Sequence, residues 1–407
     1  MTTQREVQVM KVGDIGRGAA SLSPTTLEQF IRLPWSVYAA APLGENWVPP
    51  NLRENRFVLS AANPFFDHAK AALYLALRDG VPAGRIAAII DDNHNNTHSE
   101  KTGFFGYYEA MDDPAVAQAL FSIAESWLAG FGMETMRGPM NPSTNDECGF
   151  LMKGFDIPPE IMMPYTPEYY LGHAEANGLS LEKTLRSYLL TSETIAQNHG
   201  KLGRLAGMSR RQDLRVRPMR LDDLAGELAK IKEIYNDAWA PNWGFVPMTE
   251  PEVESMAERL VDLVDPNMML FAERLRQGDS PEPIGFLLGV PNYNIALKHM
   301  DGKDGPLEKL KFLYYGGFPA RMLHGLPRKL YSGRLKECRV MILGVKKGHQ
   351  AGSATALMLH AFQENLRPGT SVDMGWTLDD NVSVNRPIER LGGVVYKLHG
   401  IYEKQIQ

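Results

Sequence analysis

His349, Gln350, Ala351, Gly352, Ser353 and Ala354 set small residues at the start of an apolar-periodic segment, just after Lys346 and Lys347. Small residues let backbone N–H groups approach an anion, and the first helical turn leaves those groups unbonded at the positive end of the dipole. The chemistry this suits is phosphate binding; the other reading is a plain strand-to-helix connection. A second cluster, Asn236, Trp239, Asn242, Trp243 and Phe245, puts aromatic rings beside amides within one short segment. Such a set orients a polar ligand in a pocket, or makes a packed turn whose tryptophans anchor a core. Asn292 and Asn294 follow a neighbouring strand and would face the same cleft. His94 and His98 lie among carboxylates and asparagines without helical ligand spacing, so an Asn-rich turn explains them and no metal ligands are assigned.

These groups need elements to hold them. Cys338–Val345 is apolar and partly β-branched, which predicts a buried strand. From Ser353, Ala, Leu and Met recur at helical spacing, so the phosphate loop sits between strand and helix. The same order of elements is written twice. Strands predicted at Glu6–Val12 and Leu214–Met219 each precede a helix, an Asn-Trp turn and a strand pair. Those pairs are Ala72–Gly80 with Gly84–Asp91, and Met268–Leu275 with Pro283–Val290. Then come Gly103–Glu109 with a helix over Pro114–Phe131, and Arg339–Val345 with a helix over Ser353–Asn365. Closing strands are predicted at Glu134–Pro139 and Ser371–Trp376. The first half has Glu109, Asp112, Asp113 and Pro114 where the second has its basic loop, and carboxylates there repel an anionic ligand.

The expected fold is α/β: two tandem domains, each a mixed central sheet flanked by helices. The division is 1–180, a helical linker over 181–213, and 214–407. The basic linker, with Lys201, Arg204, Arg210 and Arg211, either grips a partner or is simply solvated. The 407 residues, 44% apolar and 22% charged, are those of a soluble globular chain. A net charge of −5 argues against a generic nucleic-acid binder. Cys148 and Cys338 alone make no disulfide framework or zinc motif. No apolar run approaches the roughly 20 residues of a membrane span, and no signal-peptide core opens the chain, so a cytoplasmic location is expected.

The second half resembles the GNAT superfamily of acyl-CoA-dependent N-acyltransferases. Its loop pattern, Arg/Gln-x-x-Gly-x-Gly/Ala, is met by His349 through Ala354 with His349 in first place. Trp376 through Asn381, Asn385 and Gly392-Gly393 is similar to the family's strand, asparagine, helix and glycine ending. The whole chain resembles bacterial tandem-GNAT proteins, on Gly103–Glu109, Gly138–Pro142, Tyr235–Pro247 and Gly289–Asn294.

The resemblance implies transfer of an acyl group, acetyl or longer, from CoA to a small-molecule amine by direct attack on the thioester. It places pantetheine beside Leu343, Gly344 and Val345, pyrophosphate on Gln350 to Ala354, and Asn381 at the cofactor. The N-terminal domain would be the degenerate one. A neutral amine requires a base within reach, for which Glu233, Asp237 and Glu273 border the expected acceptor cleft. The family's proton-donating tyrosine falls at Ile388, which cannot donate, leaving Tyr396, Tyr402 or water. That departure favours a second reading, a non-catalytic acyl-CoA sensor. A Fem-type aminoacyltransferase would want a large basic groove, which the acidity disfavours. The stretch 307–335, apolar then basic, suits closure over an acyl chain, a homodimer face or an anionic membrane. A helical insert packed on the core is its other reading.

Overall fold

The computed structural model describes residues 6–19, 22–210, 213–260, 263–276, 280–317, 335–349 and 352–406, the side chains of 209 and 210 excepted. The chain forms two compact units. The first takes Met1–Leu185, Met300–Gly305 and Lys397–Gln407, the second Arg186–His299 and Pro306–Tyr396. Both are α/β, with a mixed sheet flanked by helices. Among the described residues no helix is long and apolar enough to cross a membrane.

In the first unit Val7–Ile15, Ala69–Arg78, Val81–Asp91 and Thr102–Ala110 run antiparallel in that order. Asp79 and Gly80, at φ 53° and 80°, make the two-residue turn between the middle pair, a conformation that favours a glycine in second place. Alternation along a strand puts Gly84 under Val116 and Leu120 of the helix Pro114–Gly130, while Arg85 reaches the Phe30 carbonyl of the helix Pro24–Ala40. The helices therefore cover opposite faces. Thr102–Ala110 pairs in parallel with Thr135–Gly138 only from Thr102 to Phe104; beyond that the strands part. The chain itself occupies the freed edge. The Tyr107 N–H donates to Asn141 Oδ1 at 2.6 Å, and a Cβ on Gly106 would lie 1.7 Å from the Met140 carbonyl oxygen. The helix that follows is capped by Asp113, which accepts from the N–H groups of Ala115 and Val116 behind Pro114. The last strand, Val394–Gln405, gives its Tyr402–Gln405 end to this unit's sheet beside Thr135–Gly138.

In the second unit Leu214–Pro218, Met269–Arg274, Glu282–Pro291 and Glu337–Val345 are antiparallel neighbours, and Ser371–Leu378 joins in parallel. The helix Leu224–Trp239 packs on Glu282–Pro291 and Glu337–Val345. Opposite it, the helices Ser192–Arg210 and Ser353–Asn365 close over a core that includes Leu202, Leu287, Val340, Leu357, Phe362 and Met374. Burying each large apolar side chain contributes about 1.5–3 kcal/mol. Gly289 makes room for one of them: a Cβ there would lie 2.2 Å from the Phe362 ring.

Three stretches differ from their sequence reading. Residues 181–213, read as helix and linker, hold most of the strand Ser180–Leu190 and then the helix Ser192–Arg210. The Asn-rich stretch after Asp91 is a short helix, Asp92–His98, with Asp91 accepting from the Asn93 N–H. Of the insert, 306–316 is a helix, while 318–334 lies outside the described residues, as do most of its basic side chains.

Candidate functional site

A fork in the second unit's sheet organises the site. Glu337–Val345 and Ser371–Leu378 pair in parallel from Glu337↔Ser371 to Val340↔Met374, and the pairing stops there although both strands continue. At the same place the register against Glu282–Pro291 slips, Gly289 facing Val340 and Leu288 facing Ile342. Met341 is thus an extra residue, a β-bulge that twists the strand away from its parallel neighbour. Met341, Ile342 and Leu343 are half-buried, between buried Val340 and buried Gly344 on the same strand. Their backbone groups on the open side face the gap, with no partner strand among the described residues.

The bulge also exchanges faces. Before it, Cys338 and Val340 join the core under Ser353–Asn365; after it, Leu343 and Val345 do. Gly344 therefore points to the other face, where a Cβ would lie 2.1 Å from the Trp239 ring and 3.2 Å from Ala238. Trp239 stacks on Tyr235 at 4.8 Å, and Tyr235 tilts against Phe245 at 5.5 Å. Only glycine at 344 lets this aromatic group lie on the lip of the fork. Gly344→Val is therefore expected to displace Trp239 and lower unfolding free energy by about 1–3 kcal/mol, the usual range for overpacking. Urea unfolding checks it; an unchanged midpoint would mean the ring moves aside freely.

Past the strand, Lys346 to His349 form a turn closed by the His349 N–H on the Lys346 carbonyl, with Gly348 at φ 79° as a type II turn requires. The helix Ser353–Asn365 begins after Gly352, and no side chain among the described residues caps it. A Cβ on Gly352 would meet nothing within 4 Å among the described residues. His349 Nδ1 is shielded from solvent with no hydrogen-bond partner among the described residues. Gln350 and Ala351 lie outside the described residues. An open strand edge, an uncapped helix of ordinary length and an orphaned imidazole nitrogen together fit the pantetheine and pyrophosphate of an acyl-CoA.

The other expected site residues separate into two places. Glu233 pairs with Lys346 at 2.6 Å, and Asp237 accepts from the Lys347 N–H. Both carboxylates stand at the loop end of the fork, roughly 16 Å of extended strand from its apex. On the same helix Asn236 Oδ1 is shielded and without a hydrogen-bond partner among the described residues. Asn242 and Phe245 form a turn there, the Phe245 N–H donating to the Asn242 carbonyl, with Trp243 between them. Asn292 and Asn294 are elsewhere: the Asn292 amide donates to Glu337 and its oxygen accepts from the Asn294 N–H, at the far end of the strand. Glu273, 4% exposed, accepts from Arg215 and Arg217. Arg217 also holds Glu227, where burial would raise the carboxyl but hydrogen bonds from Arg217 and Lys230 outweigh it and bring it down to about 2. Asn381 accepts from Ser383, while Asn385 ties the turn by donating to the Leu378 and Asp379 carbonyls. Ile388 is buried in the core, and Tyr402 belongs to the first unit.

The apex holds a group that sequence reasoning met only at Tyr396. Arg339 and Asp373 face each other on the last paired rungs, 4% and 1% exposed, on the side opposite Val340 and Met374. The Arg339 guanidinium donates to the Gly375 carbonyl at 3.0 Å and lies 3.6 Å from Asp373, which accepts from the Tyr396 hydroxyl at 2.9 Å. Charged residues inside two otherwise apolar strands were the signal that could have found it. Under the apex, on the core side, Val340, Val372 and Met374 line an apolar pocket closed by Leu202, Leu359 and Phe362.

No protein-family model matches the chain. Escherichia coli protein YghO is 34% identical over 391 residues, 95% of this chain and 94% of that protein. The bacterial ceramide synthase of Caulobacter vibrioides is 34% identical over 398 residues, 94% of this chain and 96% of that protein. Among solved structures, the GCN5-related glucosamine N-acetyltransferase region of a fungal GH3 β-N-acetylglucosaminidase superposes with a TM-score of 0.52 at 10% identity, over 99% of this chain and 38% of that one. A tandem GNAT protein of the clavulanic acid pathway aligns over 99% of both chains at 9% identity and a TM-score of 0.49. With relatives at 34% identity over nearly its whole length and two units of this fold, the chain belongs to the bacterial tandem-GNAT family that includes YghO and the Caulobacter ceramide synthase.

Proposed function

We propose that the second unit binds an acyl-CoA in its fork and transfers the acyl group to an amine. The observation that carries this reading is the coincidence of an open strand edge with an uncapped, glycine-led helix at one end of the same strand. In the first unit both features are filled, by Asn141 and by Asp113, which supports a degenerate N-terminal domain. The relative named a ceramide synthase suggests the acceptor class, a long-chain amino alcohol of the sphingoid type. The apolar pocket below Val340 and Met374 supports an acyl group longer than acetyl, whose distal carbons we place there.

Bound in the fork, acyl-CoA supplies a thioester carbonyl for the amine to attack. Backbone groups of Met341 to Val345 hold the arm, while the N–H groups that begin Ser353–Asn365, with His349, hold the phosphates. We assign Asn236 Oδ1, shielded and without a hydrogen-bond partner among the described residues, to accept from the acceptor's hydroxyl. The amine gives up a proton, the C–S bond breaks and CoA leaves as a thiol, so one proton passes from nitrogen to sulfur. We assign that transfer to Tyr396 with Asp373: the hydroxyl gives its proton to the leaving sulfur and recovers one from the Asp373 carboxylate, which takes the amine's proton and passes it on. Glu233, Asp237 and Glu273 are engaged with Lys346, the Lys347 N–H and two arginines, and we assign them to holding loop and sheet.

Thiol release from acetyl-, octanoyl- and palmitoyl-CoA, each with sphinganine or with small polar amines, tests the reading. Expected is turnover with sphinganine that rises with acyl length and falls at least about 100-fold in Tyr396→Phe, the lower end of the range for lost acid–base catalysis. Acyl-CoA binding without thiol release to any amine would replace the enzyme with the sensor that Ile388 favours. No binding of any acyl-CoA would overturn both.

A further inference from the structure

We propose that His199, His360 and Glu364 form a binding site for a divalent cation of the zinc class, joining the helices Ser192–Arg210 and Ser353–Asn365. His360 and Glu364 are one turn apart and share a face of the second helix; His199 meets them from the first. One donor atom from each lies within 4.8 Å of the others. His199 Nε2 already contacts Glu364 Oε1, and the two imidazole rings are 5.6 Å apart. Room for the His360 ring comes from the facing helix: a Cβ on Gly203 would lie 3.1 Å from its Nε2. Nitrogen and oxygen ligands about 2.0–2.1 Å from a tetrahedral zinc stand roughly 3.4 Å from one another. His199 and Glu364 are half-exposed, 52% each, so side-chain rotation alone closes the set. Water completes the fourth corner.

Two imidazoles with one carboxylate suit zinc, and they discriminate against magnesium and calcium, which want oxygen ligands in larger number. The residues come from positions 165 apart in the chain, so no spacing in the sequence announces them. Their effect would be mechanical. Ser353–Asn365 is the helix whose start flanks the fork, and a metal tying its far half to Ser192–Arg210 fixes that helix against the core.

The test is isothermal titration of untagged, EDTA-treated and dialysed protein with zinc chloride, and thermal unfolding with zinc, with magnesium and with EDTA. One zinc per chain is expected, with a midpoint raised by several degrees at 100-fold excess over Kd and no response to magnesium. His360→Ala and Glu364→Gln should lose the response while keeping the wild-type midpoint in EDTA. His98→Ala removes half of the other close histidine pair, His94 with His98 at 4.6 Å, and should leave it unchanged. A wild type indifferent to zinc, a response surviving in His360→Ala, or one lost in His98→Ala overturns the proposal. None of these readouts depends on acyl transfer.

Discussion

Gly352→Glu is expected to abolish acyl-CoA binding and leave the fold untouched. The backbone at Gly352, φ −47°, is open to any residue, and a Cβ there meets nothing within 4 Å among the described residues. A carboxylate at the start of a helix is itself favourable, by about 0.3–1 kcal/mol, so the free variant should unfold at or slightly above the wild-type midpoint. The same carboxylate takes the place of the phosphate. Two like charges about 4 Å apart at an effective dielectric near 20 repel by roughly 4 kcal/mol, about three decades of affinity. Wild type at 100 times Kd gains about 2.7 kcal/mol from its ligand, and at that concentration the variant gains nearly nothing. Thermal unfolding with palmitoyl-CoA reads this directly, with Gly352→Ser as the neutral control. A full ligand shift retained in Gly352→Glu would remove the phosphate from this loop and put the acyl-CoA elsewhere on the chain.

The helix start beside that loop was legible because local chemistry sets it. Gly352 cannot cap with a side chain, the apolar spacing starts at Ser353, and the helix runs Ser353–Asn365 as its residues predict. The repeat was legible for the same reason, since Asp79-Gly80 and Asp113-Pro114 carry their turn and cap in the chain itself. The fork was not. Parting of parallel strands depends on a register against a third strand, and neither the bulge at Met341 nor the stop at Val340↔Met374 leaves a mark in one strand's pattern. Asn292 and Asn294 were expected at the acceptor cleft because they end a neighbouring strand; antiparallel pairing puts them beside Glu337 instead. Ser180–Leu190 hid for another reason: its first half is polar and exposed, so it reads as a surface segment until the other half is seen buried.

Arg339→Met is expected to cause the largest loss of stability in the second unit. Removing one partner of a buried ion pair costs about 3–5 kcal/mol, because the remaining charge loses its counter-charge. Asp373, 1% exposed on the facing rung, is that charge. At about 2–4 °C per kcal/mol for a domain of this size, the midpoint should fall by about 10 °C. Arg339→Met/Asp373→Asn separates charge from shape. The amide oxygen can still accept from Tyr396, no net charge is buried, and much of the lost stability should return. A double variant as unstable as the single one would shift the cause to the lost hydrogen bond on the Gly375 carbonyl. Gly375 is the first residue on Ser371–Leu378 beyond the last paired rung, so this arginine fastens one strand to the other where they begin to part. The double variant therefore carries a second expectation. With its charge balance restored and its fork unfastened, it should fold yet bind palmitoyl-CoA more weakly than wild type. Wild-type affinity in that variant would show that the bulge at Met341 alone holds the fork open.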